Sequence, residues 1–297
     1  QDWRLLDGKT STPMILGFEN PEDYLSSPYF LGAIAGRVSN RIANGRYPSG
    51  DGFVQLDQNE GQTTLHGGKN SLGRVFWDLE QLSDRQARFT YTSLNGENVF
   101  PGTARFEVII TLADRQLRYD MSAKVDTETP ISFAQHNYYN FGGTPDIWDY
   151  HVTMPSHQVL EQDALGVSTG RILDTADSDM DFRNGQSMGA FAQSGLDSHF
   201  VFEQPSGVEL PLVADIRSEN GPGIKVFSDQ NGAQIYTAHG LPEMQGGLNG
   251  AAYGPASGLC FEPQGHPNAV NIPEFPSVMV SPEIPYRQTL LIEAVDL

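Results

Sequence analysis

Residues 103–112 read TARFEVIITL and residues 117–125 read LRYDMSAKV. In the first run, Ala104, Phe106, Val108, Ile110 and Leu112 fall on one side of an extended chain. Arg105, Glu107 and Thr111 fall on the other, with Ile109 the exception. In the second, Leu117, Tyr119, Met121, Ala123 and Val125 repeat the alternation. A period of two marks half-buried antiparallel strands, one face in the core and the other wet or lining a groove. VFWDLEQL and ARFTYTS, between residues 74 and 93, give two more strands. The second half repeats the style at 150–154, 208–218, 223–228, 234–237, 258–262 and 289–295. No stretch carries a long 3.6-residue period, and there is no clear linker or short repeat. The fold expected is all-β, a large antiparallel β-sandwich with residues 1–297 forming one domain.

The intervening segments are built for turning and for placing side chains. Residues 1–24 hold a turn at Asp7 and Gly8 between two short apolar runs. FLGAIAGRVSNRIANGRY, residues 30–47, is too rich in glycine for a stable helix and reads as an irregular connection. Residues 50–55 read as a turn entering a strand. The 31 glycines and 19 prolines favour many short strands over long helices.

Composition excludes several classes of function. With 37 acidic against 18 basic residues the formal net charge is −19, and the only lysines are Lys9, Lys69, Lys124 and Lys225. Such a surface repels nucleic acid and anionic membrane, so neither is expected as a partner. It also disfavours a phosphorylated substrate. Cys260 is the single cysteine, so no intrachain disulfide can form. No apolar run approaches the roughly 20 residues of a membrane span. QDWRLLDGK, at the start, is not a signal peptide. The cytoplasm is the compartment expected, with the periplasm open if a leader has been cleaved.

The chemistry sits in a few short contexts. HExxH, paired CxxC, GxxxxGK[ST] and GxSxG are absent, and no histidine pairs locally with a carboxylate at familiar metal spacing, so neither metal nor nucleotide cofactor is expected. ISFAQHNYYNFG, residues 131–142, sets His136 among aromatics and asparagines, which offer apolar faces for a sugar to stack on and partners for its hydroxyls. The competing reading is a core histidine with its hydrogen bonds satisfied. His66 sits in TTLHGG, where two glycines let the backbone bend and a ligand approach; a plain loop histidine fits as well. Glu262 lies in the near-apolar SGLCFEP, where a carboxylate is costly unless paired or used, or else points outward. Asp197 and His199 in GLDSHFVF read equally as a strand entry, and Arg37 and Arg41 as surface arginines.

In order, GRVSNRI, LHGG, QHNYYNF, LDSHF, QIYT and CFEPQ resemble the aldose 1-epimerase (galactose mutarotase) family. The likeness runs from about Met14 to the C-terminus and includes ILGFENPEDY, GRILDTADSDMDFR and HPNAVNIPEFPSVMVSPEIPY. It implies a β-supersandwich and interconversion of the α and β anomers of free aldoses. The family's general base matches Glu262, its general acid His136 and its second active-site histidine His66. Its sugar-holding pair matches Asn40 and Arg41, its substrate-binding aspartate Asp197, and a glutamine in the strand before the base matches Gln234. Two positions depart: Gln135 replaces the asparagine before the catalytic histidine, and DHNF reads Asp197-Ser198-His199-Phe200. The chain also begins later than family members usually do, as if the first N-terminal strands were missing.

The resemblance implies an ionised Glu262 that takes the C1 hydroxyl proton and a protonated His136 that serves the ring oxygen, with no cofactor. A nearby carboxylate favours protonated His136. The partner expected is a monosaccharide, and the protein a monomer or homodimer. The alternatives are a hexose-6-phosphate 1-epimerase, with Arg37, Arg41, Arg46 and Arg74 as candidate phosphate ligands, and a non-catalytic carbohydrate-binding protein on the same fold. A β-sandwich lyase or hydrolase would use Glu262 with Asp197.

Overall fold

The computed structural model describes residues 2–7, 10–141, 144–203, 207, 210–219 and 221–295. Its two large sheets are antiparallel throughout. The nine-stranded sheet runs Gln186–Ser187, His151–Thr153, Leu212–Arg217, Gly223–Ser228, Tyr286–Val295, Gln116–Val125, Ala104–Ala113, Gln86–Ser93 and Asp78–Ser83. The six-stranded sheet runs Tyr138–Tyr139, Leu259–Pro263, Gly232–Tyr236, Asp197–Val201, Gln158–Gln162 and Ser168–Asp174. Among the described residues no helix is long and apolar enough to cross a membrane.

The diagnostic hairpin forms as its alternation dictates. Ala104 to Ala113 pairs with Val125 to Gln116 in unbroken register. Ala104, Phe106, Val108, Tyr119, Met121 and Ala123 are almost fully buried, whereas Ile110 is half-buried and Leu112 exposed where the strand outruns its cover. Facing them are Phe200, Ala233, Ile235, Leu259 and Phe261 of the smaller sheet, in the same core cluster. Burial of such side chains contributes about 1.5–3 kcal/mol each, and this is what holds the two sheets face to face.

Several boundaries differ from the sequence reading. The strand expected from residue 208 begins at Leu212, and residues 208 and 209 lie outside the described residues, as do Gly8 of the first turn and Gly142. The last strand starts at Tyr286 rather than residue 289. Gln158–Gln162 and Ser168–Asp174 are strands that the sequence reading lacks; their pairing shifts register between Leu160 and Gln162, which breaks the alternation a strand normally shows. Residues 30–47 are irregular as expected, but they carry the short strands Ala33–Ala35 and Arg41–Ile42. Arg37 anchors this connection. Only 2% exposed, it donates to the carbonyls of Ser93, Leu94, Pro101 and Gly102 at 3.1–3.2 Å. Those bonds offset the desolvation of its charge.

Candidate active site

The smaller sheet builds one wall of the site by register alone. Gln234 lies opposite both Glu262 and His199, and Tyr236 opposite both Asp197 and Cys260. Tyr138 lies opposite Cys260 on the next strand. Cross-strand partners share a face, and so do residues two apart along a strand. Asp197, Gln234, Tyr236, Glu262 and Tyr138 therefore turn outward together, while Phe200, Ala233, Ile235 and Phe261 turn into the core. The outward set lines a cleft of about 360 Å³ with His136, Asn40, Arg41 and His66.

The opposite wall is irregular backbone. Arg41–Ile42 pairs with Thr64–Leu65, and beyond that short ladder Asn40 and His66 both take positive φ, 59° and 50°. Each holds the other. The His66 N–H donates to the Asn40 carbonyl at 3.0 Å, and the Asn40 N–H donates to His66 Nδ1 at 3.2 Å. Nδ1 is thereby the acceptor, which leaves Nε2 carrying the proton as a donor. Gly67 makes the bend possible: at φ 86° a Cβ there would overlap the backbone of Gly36 and Arg37. Phe30 packs between the two walls, 4.8 Å from the His66 ring and 6.1 Å from that of His136.

His136 and Glu262 meet at the floor, Nε2 to Oε1 3.7 Å, with His136 5% and Glu262 2% exposed. Burial decides their charge. Desolvation pushes the His136 imidazole down to about 4 and, reinforced by the charge of Asp197, holds the Glu262 carboxyl well above the ordinary carboxylate range. His66 is likewise held well below the usual histidine range, by burial first and then by His136 and the nearby arginines. The expectation that a neighbouring carboxylate keeps His136 protonated is thus reversed in the sugar-free cleft. Desolvation works against that attraction, lowering the His136 imidazole and raising the Glu262 carboxyl, so burial favours the neutral form of each.

At the mouth, Arg41 makes a two-pronged bond to Glu60, 2.7 and 2.8 Å, and its third nitrogen lies 4.0 Å from Asp197. The Gln234 side-chain amide donates to Asp197 at 2.6 Å, while the Gln234 carbonyl oxygen is buried without a partner. The seven residues matched to the family's site, Glu262, His136, His66, Asn40, Arg41, Asp197 and Gln234, all line this cleft, whereas His199 and Arg37, weighed beside them, do not.

The model of the family described as aldose 1-epimerase matches residues 1–293. The chain belongs to the aldose 1-epimerase family. Galactose mutarotase of Mus musculus is 33% identical over 289 residues, covering 95% of this chain and 83% of the relative. Aldose 1-epimerase of Escherichia coli is 28% identical over 275 residues, covering 88% and 78%. In fold the chain superposes on a GalM/aldose epimerase homologue from C. elegans with TM-score 0.92 at 24% identity, covering 99% of this chain and 91% of the other. The galactose 1-epimerase from Lactobacillus acidophilus gives 0.84 at 24% identity, covering 96% and 85%. The protein is therefore an isomerase that interconverts the anomers of a free aldose, and its substrate is a monosaccharide.

Neither departure from the aldose 1-epimerase pattern reaches the cleft. Ser198 lies opposite Ile235, on the core-facing side of its strand. Gln135 is fully buried and accepts from the Tyr139 hydroxyl at 3.2 Å. His199, the alternative to Asp197 in its stretch, is also wholly buried, with Nε2 3.1 Å from His266 Nδ1. Sequence reasoning missed Glu60, Tyr236 and His239, which also line the cleft. Glu60 sits in the turn-like NEG, which gave no signal. Among the described residues one group could hold a metal ion: His136, Cys260 and Glu262, whose ligand atoms lie within 4.8 Å of one another. The thiol contact is made at His136 Nδ1, 3.7 Å, and the carboxylate contact at Nε2, and Cys260 does not line the cleft.

Proposed function

We propose that Glu262 and His136 carry the proton transfers, that His66, Asn40, Arg41, Asp197 and Gln234 hold the pyranose, and that the preferred substrates are neutral aldoses of the glucose and galactose type. The observation that carries this reading is the buried 3.7 Å contact between Glu262 and His136 at the floor of a cleft lined by all five polar partners. Ionised Glu262 takes the proton from the C1 hydroxyl as protonated His136 gives one to the ring oxygen. The C1–O5 bond breaks and C1=O1 forms. The pair is then neutral, with the proton on Glu262, which is the state that burial favours. Rotation about C1–C2 presents the other face of the aldehyde, and the reverse transfers close the ring. Before ring opening the sugar lies over the two groups, its C1 hydroxyl toward Glu262 and its ring oxygen toward His136, and its hydroxyls with the His66 N–H supply polar contacts that the ion pair lacks in the empty cleft. Each group contributes about 10²- to 10⁴-fold.

A sugar phosphate is the weaker reading. Of the four arginines weighed for a phosphate, Arg37 is engaged with carbonyls, Arg46 stacks on Phe53 at 4.8 Å, and Arg74 donates to the carbonyls of Ser27 and Pro28. Only Arg41 reaches the cleft, and it is already paired. The core cluster runs from Trp3 to Ala294, which supports residues 1–297 as one domain. Polarimetry of freshly dissolved α-D-glucose and α-D-galactose tests the proposal. Faster decay to the same final rotation is expected. No acceleration by the folded protein with either sugar, and acceleration with glucose 6-phosphate instead, would overturn the assignment of substrate.

A further inference from the structure

Arg41 is the only lysine or arginine among the described residues that line the cleft, and its charge is already taken. Nε and Nη2 donate to the two oxygens of Glu60 at 2.7 and 2.8 Å. Nη1 lies 4.0 Å from Asp197 Oδ2. The mouth of the cleft thus sets one positive charge against two negative ones. The edge of the guanidinium that would grip an anion in two-pronged fashion is occupied.

This is not a chance surface pair, of the kind that contributes little. Arg41 is 19% exposed, and Glu60 is held by its own turn. The Thr63 hydroxyl, in a residue 3% exposed, donates to the Glu60 carboxylate at 3.0 Å, and the Thr63 N–H donates to the Glu60 carbonyl at 2.9 Å. Glu60 thereby keeps its carboxylate fixed on Arg41.

We propose that Glu60 is a specificity-determining residue, which by locking and neutralising Arg41 restricts the cleft to uncharged aldoses and rejects those bearing a carboxylate or phosphate. The inference rests on the proposed sugar site and adds a role for a residue that touches the substrate's partner. Neutral hydroxyls can still donate to Glu60 and Asp197 and accept from Arg41, so an uncharged sugar loses nothing to this arrangement. An anion meets two carboxylates, and the Nε/Nη2 edge of Arg41 is already taken by Glu60, leaving only Nη1, itself 4.0 Å from Asp197.

The test compares D-galactose with D-galacturonate, which replaces one hydroxymethyl group by a carboxylate, using wild type and Glu60→Gln. Polarimetry gives kcat and KM, and calorimetry gives Kd. The substitution keeps the side-chain shape and one acceptor for Arg41 but removes a negative charge. The ratio of kcat/KM for galacturonate to that for galactose is expected to rise at least about tenfold, through KM rather than kcat. The gain should shrink as the screening length falls from about 10 Å at 0.1 M salt to about 3 Å at 1 M. An unchanged ratio, or an equal loss with both sugars, would overturn the role and leave Glu60 a merely structural partner. If wild type accelerates neither sugar, the proposed function fails separately; the Kd ratio then decides Glu60, and an unchanged Kd ratio overturns its role.

Discussion

Replacing Glu262 by glutamine separates chemistry from folding. The side chain is 2% exposed, its isostere fits the same space, and the lost atom is the proton acceptor. No neighbour can take over. Asp197 lies on the strand beyond Gly232–Tyr236 and two residues out of line with Glu262, roughly 12 Å between Cα atoms, and is already held by Gln234 at 2.6 Å. The loss in kcat/KM should therefore be the full value of a general base, about 10²- to 10⁴-fold or about 2.7–5.4 kcal/mol. Stability should move the other way. Burial raises the Glu262 pKa in the folded chain, so the stability it contributes is fully present below about pH 4.3, where the unfolded carboxyl is also protonated, and is lost as pH rises through the folded value. Glutamine does not titrate, so the variant should match wild type near pH 4 and melt above it at pH 8. Polarimetry on α-D-galactose and thermal unfolding at both pH values provide the assay. A variant within tenfold of wild-type kcat/KM refutes the base, and one that melts below wild type at pH 8 refutes the buried neutral carboxyl.

Three further outcomes follow from the same geometry. kcat/KM should fall on the acid side only as pH nears about 4, where His136 takes a second proton into the pair, and an acid limb near the ordinary histidine value of about 6.5 would contradict its burial. His266, pushed down to about 4 by burial, and its partner His199, held well below the usual histidine range by burial and by His266, keep their stability contribution fully above about pH 6.5 and lose it as pH falls through the folded values; the fall in Tm over that window should flatten in His266→Asn. Gly67→Ala forces a left-handed residue into the backbone of Gly36 and Arg37 and should cost roughly 3 kcal/mol in urea unfolding while displacing His66; a loss below about 1 kcal/mol would show that the bend gives way.

How legible the protein is depends on which physical rule each part obeys. The pair Ala104–Ala113 and Gln116–Val125 declares itself because one face is wet and the other is core, so alternation is written into it. Leu259–Pro263 reads as a strand, yet its burial is complete on both faces, and only the odd carboxylate marks it as more than core. Gln158–Gln162 and Ser168–Asp174 stay hidden because a register shift scrambles their period. Glu262, His136 and Asp197 are legible through their motif contexts. Glu60 is not, since its work lies in a hydrogen bond to Arg41 on a paired segment, and nothing in NEG announces a partner nineteen positions away. The protonation of His136 misleads for the same kind of reason: sequence shows the neighbour, whereas desolvation needs the fold.

The two walls of the cleft are made of different material, and that difference governs how far a change in either one reaches. Glu262, Gln234 and Asp197 hang from a ladder whose inner face is the core, so a change of register there would disturb the whole molecule. Asn40, His66 and Glu60 hang from irregular segments closed by a few local bonds, outside the ladder that carries the core. The floor and the rim are thereby set by separate parts of the chain, and a change in one need not reach the other.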